Sequence, residues 1–261
     1  MSTGLSALAI ALAIAASLPA APVANPVTSD GTDSTAQHPA PMPALAPLRP
    51  LLGTKHFEML MRKADDSVYR LFGREIAIRS AEQLGTMAVL RNVAHYDWVN
   101  GKVTTDTTVS LAESLAPVSE RTHTPSRIVS YDFQRLHSTG QMGPAGTLAP
   151  IDDQLPQPAF NSTDLDMLVT ALPLTAQFHV PLPLYDPEFP GFRMAELQVT
   201  GSEEVNIAGR HRRAWVLAVD QPGRPTMYYR LDMTTHAMLQ KDFGSPAGPA
   251  FRVQSMEETQ S

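Results

Sequence analysis

The stretch HYDWVNGKVTTDTTVSL, residues 95–111, decides the fold class of this chain. Apolar or β-branched residues recur at every second position from Val103 to Leu111, with polar residues between them. A period of two places one set on a buried face and the other in water, as in an antiparallel strand. The Asn100-Gly101 pair predicts a type I′ hairpin turn, because that turn needs positive φ at both central residues.

The same signals recur along the chain. Residues 129–134 and 226–232 also alternate, whereas Met87–Val93 and Ala214–Val219 are apolar on both sides, which predicts central strands with both faces covered. Turn residues separate these strands at Gly209, Pro222-Gly223 and Thr234-Thr235. Strands that follow one another through short turns predict a mainly β fold, a curved antiparallel meander with a half-barrel-like sheet.

One short helix is predicted within this sheet protein. Residues 163–166 resemble a capping box with Asp in place of Glu, and apolar residues at helical spacing continue to Leu172 before Pro173 ends the helix. The preceding stretch, Gly140–Phe160, is rich in Gly and Pro and is predicted to be a long loop.

The two ends of the chain differ in character from its middle. Leu5–Ala21 consists almost entirely of Ala, Leu and Ile and predicts a signal peptide over residues 1–24, hence export to the periplasm. No Lys or Arg precedes it, so an uncleaved N-terminal anchor is the alternative. Residues 25–53 are rich in Pro and Ala and predict a disordered linker, which leaves residues 54–257 as a single antiparallel β domain.

Composition and missing motifs narrow the function. The net charge is −6, so no global basic field attracts nucleic acid. The chain has 0 Cys, which removes disulfides, thiolate metal sites and cysteine nucleophiles. Gly-x-Ser-x-Gly, His-Glu-x-x-His, Gly-x-Gly-x-x-Gly and P-loop signatures are missing too. We therefore expect no catalytic set, metal or cofactor, and the sequence favours a non-enzymatic protein.

Large apolar side chains form the candidate ligand-binding set. Flexible Met and aromatic residues suit an adaptable lipid pocket, although the same residues on strands also make an ordinary core. The residues are Trp98, Trp215, Met87, Phe133 and Met194.

Two polar groups have both a chemical and a structural interpretation. His95 and Asp97 would share one face of a strand, where the carboxylate could orient the imidazole, or they are a polar pair beside a turn. Residues 210–213, Arg-His-Arg-Arg, form a basic hairpin tip that could contact anionic lipid head groups at a membrane surface, or they are a solvated turn.

Several short elements resemble an uncharacterised family of Gram-negative periplasmic proteins. They are Asp106–Pro117, Asp164–Leu174, Val199–Val205, Trp215–Val219 and Tyr229–Lys241. The family is similar in fold to the lipoprotein-carrier (LolA/LolB-like) half-barrels. The resemblance implies a curved antiparallel sheet around an apolar concavity, and it supplies no catalytic residues.

Three functional hypotheses remain open from the sequence. The first is a non-enzymatic module that binds a lipid or another apolar ligand in the concavity of the sheet. The second is an envelope protein that interacts with or assembles another protein. The third is a hydrolase with dispersed catalytic residues. An empty, apolar concave face would favour the first hypothesis, and a filled one would count against it.

Overall fold

A computed structural model describes residues 46, 52–64, 66–189, 191–244 and 249–256. These residues belong to one compact unit of the chain, residues 40–261. The predicted signal segment and most of the predicted linker lie outside the described residues.

Antiparallel strands make up most of the described chain, as the alternating sequence predicts. The strands are β1 (Gly53–Arg62), β2 (Arg70–Leu84), β3 (Met87–Trp98), β4 (Val103–Leu111), β5 (Pro117–His123), β6 (Ile128–Gln134), β7 (His137–Gly143), β8 (Ala149–Gln154), β9 (Phe160–Asn161), β10 (His179–Asp186), β11 (Gly191–Ile207), β12 (Arg210–Asp220), β13 (Met227–Asp232), β14 (Met238–Gly244) and β15 (Ala250–Ser255). A 3₁₀ turn at Ser162–Asp164 leads into the short helix α1 (Leu165–Thr170).

All fifteen described strands belong to one curved open sheet in the order β8-β7-β6-β5-β4-β3-β2-β1-β15-β14-β13-β12-β11-β10-β9. Neighbouring strands are antiparallel except β9 and β10, which run parallel. Two meanders, β1–β8 and β10–β15, are joined because β1 pairs with β15 from Phe57↔Ser255 to Arg62↔Ala250. The predicted fold class, a curved antiparallel meander with one short helix, is confirmed.

Curvature brings the two ends of the sheet into side-chain contact. The ring of Tyr185 on β10 lies 5.7 Å from the ring of Tyr131 and 5.5 Å from that of Phe133, both on β6. Tyr185 also donates a hydrogen bond from its hydroxyl to Asp153 Oδ2 on β8, at 2.7 Å. Edge-to-face aromatic pairs of this kind contribute more stabilisation than the burial of their apolar area alone provides.

Helix α1 fills the concave side of the sheet. Leu165, Met167, Leu168 and Val169 are each at most 3% exposed and pack in one core with inward side chains of β1 and of β10 to β15. A helix that is apolar on most sides must be buried on most sides. The concave face is therefore occupied by side chains along this part of the sheet.

The helix begins differently from the predicted capping box. Asn161 accepts a hydrogen bond from the backbone N–H of Thr163 at 3.0 Å and so caps the 3₁₀ turn. The side chain of Asp164 makes no such cap, because it accepts hydrogen bonds from Thr108 and Ser110 on β4 instead.

The predicted hairpin at Asn100-Gly101 is present, but its turn is not type I′. Gly101 has a φ of 79°, whereas Asn100 has no positive φ. Gly101 N–H donates to Trp98 O at 2.9 Å, and Trp98 N–H donates to Lys102 O at 3.0 Å. The side chain of Asn100 accepts from Lys102 N–H at 3.1 Å. These contacts fit a type I turn followed by a left-handed glycine, the next commonest hairpin connection.

The predicted loop over Gly140–Phe160 is wrong, because β7, β8 and β9 enter this region. Gly140 lies in β7 where its backbone closely approaches β6. A Cβ at this position would lie 2.1 Å from Ser130 O and 2.5 Å from Tyr131 Cα. Glycine therefore marks a close strand contact here, a role that it also has in sheet interiors elsewhere.

Shortening the helix side chain that is buried against the sheet tests whether this packing holds the fold. Leu168 is 1% exposed, so we expect Leu168→Ala to lower the free energy of unfolding by about 2–5 kcal/mol. Urea denaturation followed by tryptophan fluorescence measures this change. Val99→Ala is the control, because Val99 is 63% exposed and its truncation should cost less than about 0.5 kcal/mol. Equal losses in both variants would contradict the assigned packing.

Candidate functional site

Three turns, the start of β1 and the end of β15 meet at one end of the sheet. The turns are β2–β3 at residues 85–86, β11–β12 at 208–209 and β13–β14 at 233–237. Antiparallel pairing places these turns at the same end, since β1 neighbours both β2 and β15. We call this region the basic end.

A cavity of about 460 Å³ lies at the basic end. Its lining contains four cationic side chains, Lys55, Arg79, Arg210 and Arg212, and a single carboxylate, Asp232. This excess of positive charge contrasts with the net charge of −6 for the whole chain. Fixed positive charge in a concave site attracts anions.

Arg79 is the most deeply buried cation in this lining. It lies on the inward face of β2 with Glu75 and Ala77, and 9% of it is exposed. Its Nε donates to Asn92 Oδ1 at 3.3 Å, and within the described part of the chain it forms no ion pair. Burial lowers the pKa of Arg79, whereas Asp166 and the other interior carboxylates raise it. The guanidinium stays protonated, so it can donate charge-assisted hydrogen bonds to an anion in the cavity.

Asp232 pairs with one of these cations, Arg212, and also accepts hydrogen bonds within the β13–β14 turn. Its Oδ1 accepts from Thr234 N–H at 2.9 Å and from Thr235 N–H at 2.8 Å, and its Oδ2 accepts from Arg212 Nη1 at 3.3 Å. Burial alone would raise the pKa of Asp232, but the hydrogen bonds from Thr235 and Thr234, together with Arg212, hold it below its usual value. The carboxylate is therefore ionised and already partnered.

The cavity lining also has an apolar part. Phe57, Met238 and Leu239 are buried at 3%, 6% and 5% exposure, and Met256 is 39% exposed. His56 and His236 also line the cavity. Apolar walls beside a few convergent charged groups are the usual composition of a small-molecule site. The lining suits a ligand with an anionic group and a short apolar portion.

Two carboxylates of the helix segment lie in the interior behind Arg79. Asp164 accepts from Thr108 and from Ser110 Oγ, the latter at 2.8 Å, and burial raises its pKa to about 6. Asp166 accepts from Tyr229 at 2.7 Å and from Lys241 Nζ at 2.6 Å. Burial would raise the pKa of Asp166, but the charge of Lys241 holds it below its usual value. The helix thus contributes one strongly ionised carboxylate and one that is less easily ionised.

Glu75 and Asp106 are interior carboxylates that titrate near neutrality. Burial raises the pKa of Glu75 to about 7, and the charge of Asp166 adds to this shift while Lys241 and Arg79 oppose it. Burial likewise raises the pKa of Asp106 to about 7. Within the residues that the structure describes, no three His, Asp or Glu side chains converge as a metal site requires.

The five predicted ligand-binding residues do not line the cavity. Trp98 stacks on Tyr96 with ring centroids 6.0 Å apart, and Trp215 packs against the core. Phe133 belongs to the aromatic contact between the sheet ends. Met194 accepts from Gln157 Nε2 at 3.2 Å, and Met87 is 42% exposed at the β2–β3 tip, so Met87–Val93 is not covered on both faces. The structure does not bring these residues into one surface, and their role in binding stays a prediction.

The predicted polar groups differ in their relation to the cavity. His95 Nδ1 lies 3.1 Å from Thr105 Oγ1, and Asp97 is exposed on the same strand. The basic hairpin tip does contribute to the site, because Arg210 and Arg212 line the cavity. His211 pairs with Glu204 on the neighbouring strand.

Sequence reasoning missed Lys55 and Arg79. The alternation in β2 suggests that Ile76 and Ile78 face the core, but Glu75 and Arg79 are buried instead, and Ile78 is 40% exposed. Arg79 pairs with buried Asn92 on β3, and Glu75 pairs with buried Phe57 on β1, so their inward placement becomes visible once the pairing is known.

The fold and the cavity define a class: a mainly antiparallel β domain with a helix in its concave side and a basic cavity at one end. Residues 77–246 match the model of a family described as a protein of unknown function (DUF3108), so the chain belongs to that family. No curated protein matches the chain. Among the described residues, no helix has the length and apolar character needed to cross a membrane.

Two solved structures resemble the chain at low identity. One is a β-barrel-like protein of the domain of unknown function DUF1849 from Brucella abortus, with 10% identity, 78% of this chain and 97% of that chain covered, and a TM-score of 0.46. The other is the hypothetical lipoprotein YmcC from Escherichia coli (K12), with 12% identity, coverages of 79% and 86%, and a TM-score of 0.27. At these TM-scores neither structure supports a conclusion about this chain.

The raised pKa of Glu75 predicts that the folded state loses stability as the pH rises. Because the pKa rises from 4.5 to about 7 on folding, the folded state binds more protons than the unfolded state between these values. The associated stability is fully present below pH 4.5 and is lost as the pH rises through 7, by roughly 3 kcal/mol at most. We expect Glu75→Gln to reduce the fall in unfolding free energy between pH 5 and pH 8.

Urea denaturation at both pH values measures this difference. Glu113→Gln is the matched control, because Glu113 is an exposed carboxylate in the β4–β5 turn. A pH dependence in Glu75→Gln that equals that of the unaltered protein would show that Glu75 is not the group responsible.

Proposed function

We propose that the protein is a non-enzymatic binding module of the bacterial cell envelope that holds an anionic amphiphile in the basic cavity. The observation that supports this most directly is the lining itself, which combines Lys55, Arg79, Arg210 and Arg212 with an apolar wall. The apolar segment Leu5–Ala21 supports export to the periplasm. A similarity in fold to lipoprotein-carrier half-barrels, which the sequence resemblance implies, is part of this proposal.

A purely apolar ligand in the concavity is less well supported than an anionic one. Helix α1 and its core neighbours occupy the concave face, with Leu168, Leu182 and Leu217 at 0–1% exposure. The cavity at the basic end is instead lined by guanidinium and ammonium groups. An uncharged hydrocarbon there would add no acceptor for the buried guanidinium of Arg79, whereas an anion would.

An amphiphile matches both parts of the lining. Its anionic group would accept charge-assisted hydrogen bonds from Arg79, Arg210 or Lys55, each worth about 1.5–3 kcal/mol. A short alkyl portion against Phe57 and Met238 would gain about 0.8 kcal/mol for each buried methylene. We therefore expect affinity to rise from inorganic phosphate to an alkyl phosphate.

Isothermal titration calorimetry with hexyl phosphate, hexyl glucoside and inorganic phosphate tests this function. We expect hexyl phosphate to bind most tightly and hexyl glucoside to bind weakly, because the glucoside has no charge. In the double variant Lys55→Gln/Arg210→Gln, the affinity for hexyl phosphate should fall at least about tenfold, since two charge-assisted contacts are removed.

Arg74→Gln is the matched control for the double variant. Arg74 lies on the outward face of β2 and is exposed, so this substitution removes a positive charge that lies outside the cavity. Equal binding of hexyl glucoside and hexyl phosphate would overturn the anionic preference. Equal losses in Arg74→Gln and in the double variant would show that the anion does not bind in the cavity.

A further inference from the structure

Two hairpins extend past the strands that surround the cavity. Gly53, the first residue of β1, pairs with Arg79, and β2 continues from there to Leu84. At about 3.3 Å per residue, residues 80–84 carry the β2–β3 hairpin roughly 16 Å beyond the start of β1. Leu84 and Met87 face each other at its tip and are 46% and 42% exposed.

The second hairpin is β11–β12. Asp232, the last residue of β13, pairs with Ala214, so residues 210–213 of β12 continue past it together with residues 204–207 of β11. Ala208 and Gly209 form the tight turn with φ values of 51° and 84°. Positive φ at both residues is typical of a two-residue type I′ turn. The projecting part of β12 is cationic at three of four positions.

The cavity lies between these hairpins. In the sheet, β1, β15, β14 and β13 separate β2 from β12. Arg79, at the base of the first hairpin, lines one side of the cavity, and Arg210 and Arg212 of the second hairpin line the other. An apolar tip and a basic tip therefore flank a cation-lined cavity.

Three carboxylates near the two tips are paired within the protein, whereas Glu113 of the β4–β5 turn, beside the first tip, is exposed. Glu82 accepts from Arg91 at 2.9 Å, Glu203 from Arg230 at 2.7 Å, and Glu204 pairs with His211. Residues 210–213 of β12 carry three arginines, one of which, Arg212, is also paired with Asp232. The opposite end of the sheet also exposes apolar residues, Val99 and Val103, but there they adjoin Asp97 and Lys102, whose charges cancel.

We infer that the basic end docks on an anionic phospholipid surface, with Leu84 and Met87 inserting between head groups and Arg210, Arg212 and Arg213 contacting lipid phosphates. This orientation presents the cavity to the membrane. The inference rests on the proposed function, because the ligand of the cavity would be the phosphate head group of a lipid. Each cation near such a surface and each inserted apolar side chain adds to the partitioning.

Cosedimentation with vesicles of phosphatidylcholine alone, or with phosphatidylglycerol added, tests the inference with the full-length protein. We expect binding to the phosphatidylglycerol vesicles only, weakening as salt is raised. Arg210→Gln/Arg212→Gln/Arg213→Gln should lower the partition coefficient about a hundredfold, because three cations leave the contact surface. Leu84→Asp/Met87→Asp should lower it at least tenfold.

Matched variants at the opposite end separate docking from a general charge effect. Lys63→Gln/Arg70→Gln/Lys102→Gln removes the same charge, and Val99→Asp/Val103→Asp makes the same kind of change at another hairpin tip. Both should bind vesicles as the unaltered protein does. Losses equal to those of the basic-end variants, or equal binding to both vesicle types, would overturn the inference. Urea denaturation checks that each variant is folded.

Failure of this inference and failure of the proposed function give different results. Binding of hexyl phosphate in the cavity without binding to phosphatidylglycerol vesicles would overturn membrane docking and leave the anion site standing. Vesicle binding that needs both hairpin tips, in a protein that does not bind hexyl phosphate, would support docking and overturn the cavity as the ligand site.

Discussion

The antiparallel pairing of β1 with β15 is the contact on which the rest of the structure depends. It joins the two meanders into one sheet, and without it each meander would expose an edge strand with unpaired backbone groups. Since β1 begins and β15 ends at the basic end, the same pairing brings Lys55 and Phe57 next to Met256. The cavity therefore depends on the strand pairing that joins the two meanders.

Helix α1 depends on the sheet that surrounds it. A helix from Leu165 to Thr170 is too short to be stable alone, so tertiary contacts must hold it. Asp164 is tied to β4 through Thr108 and Ser110, and Asp166 is tied to β13 and β14 through Tyr229 and Lys241. These carboxylates hold the segment against both meanders, while its apolar side chains fill the space between them.

Local patterns in the sequence predict the fold class well where one face is apolar. The alternation in β4, the turns at residues 99–102 and 208–209, and the short helix are all found. The prediction fails over Gly140–Phe160, because glycine and proline usually mark loops, whereas here Gly140 allows β7 to approach β6. The pairing of β1 with β15 could not be predicted, since no local pattern specifies which distant strands are neighbours.

The candidate site is predictable only in part, and the reason lies in β2. The basic hairpin is visible in the sequence, but binary patterning points Ile76 and Ile78 inward and so hides Glu75 and Arg79. The reversed pattern has a physical basis: a cation buried at the cavity needs compensating charge, and Glu75, Asp164 and Asp166 lie behind it. Local rules tend to fail at functional positions for this reason. Of the two residues that contradict the strand pattern, Arg79 places positive charge in the cavity and Glu75 lies behind it.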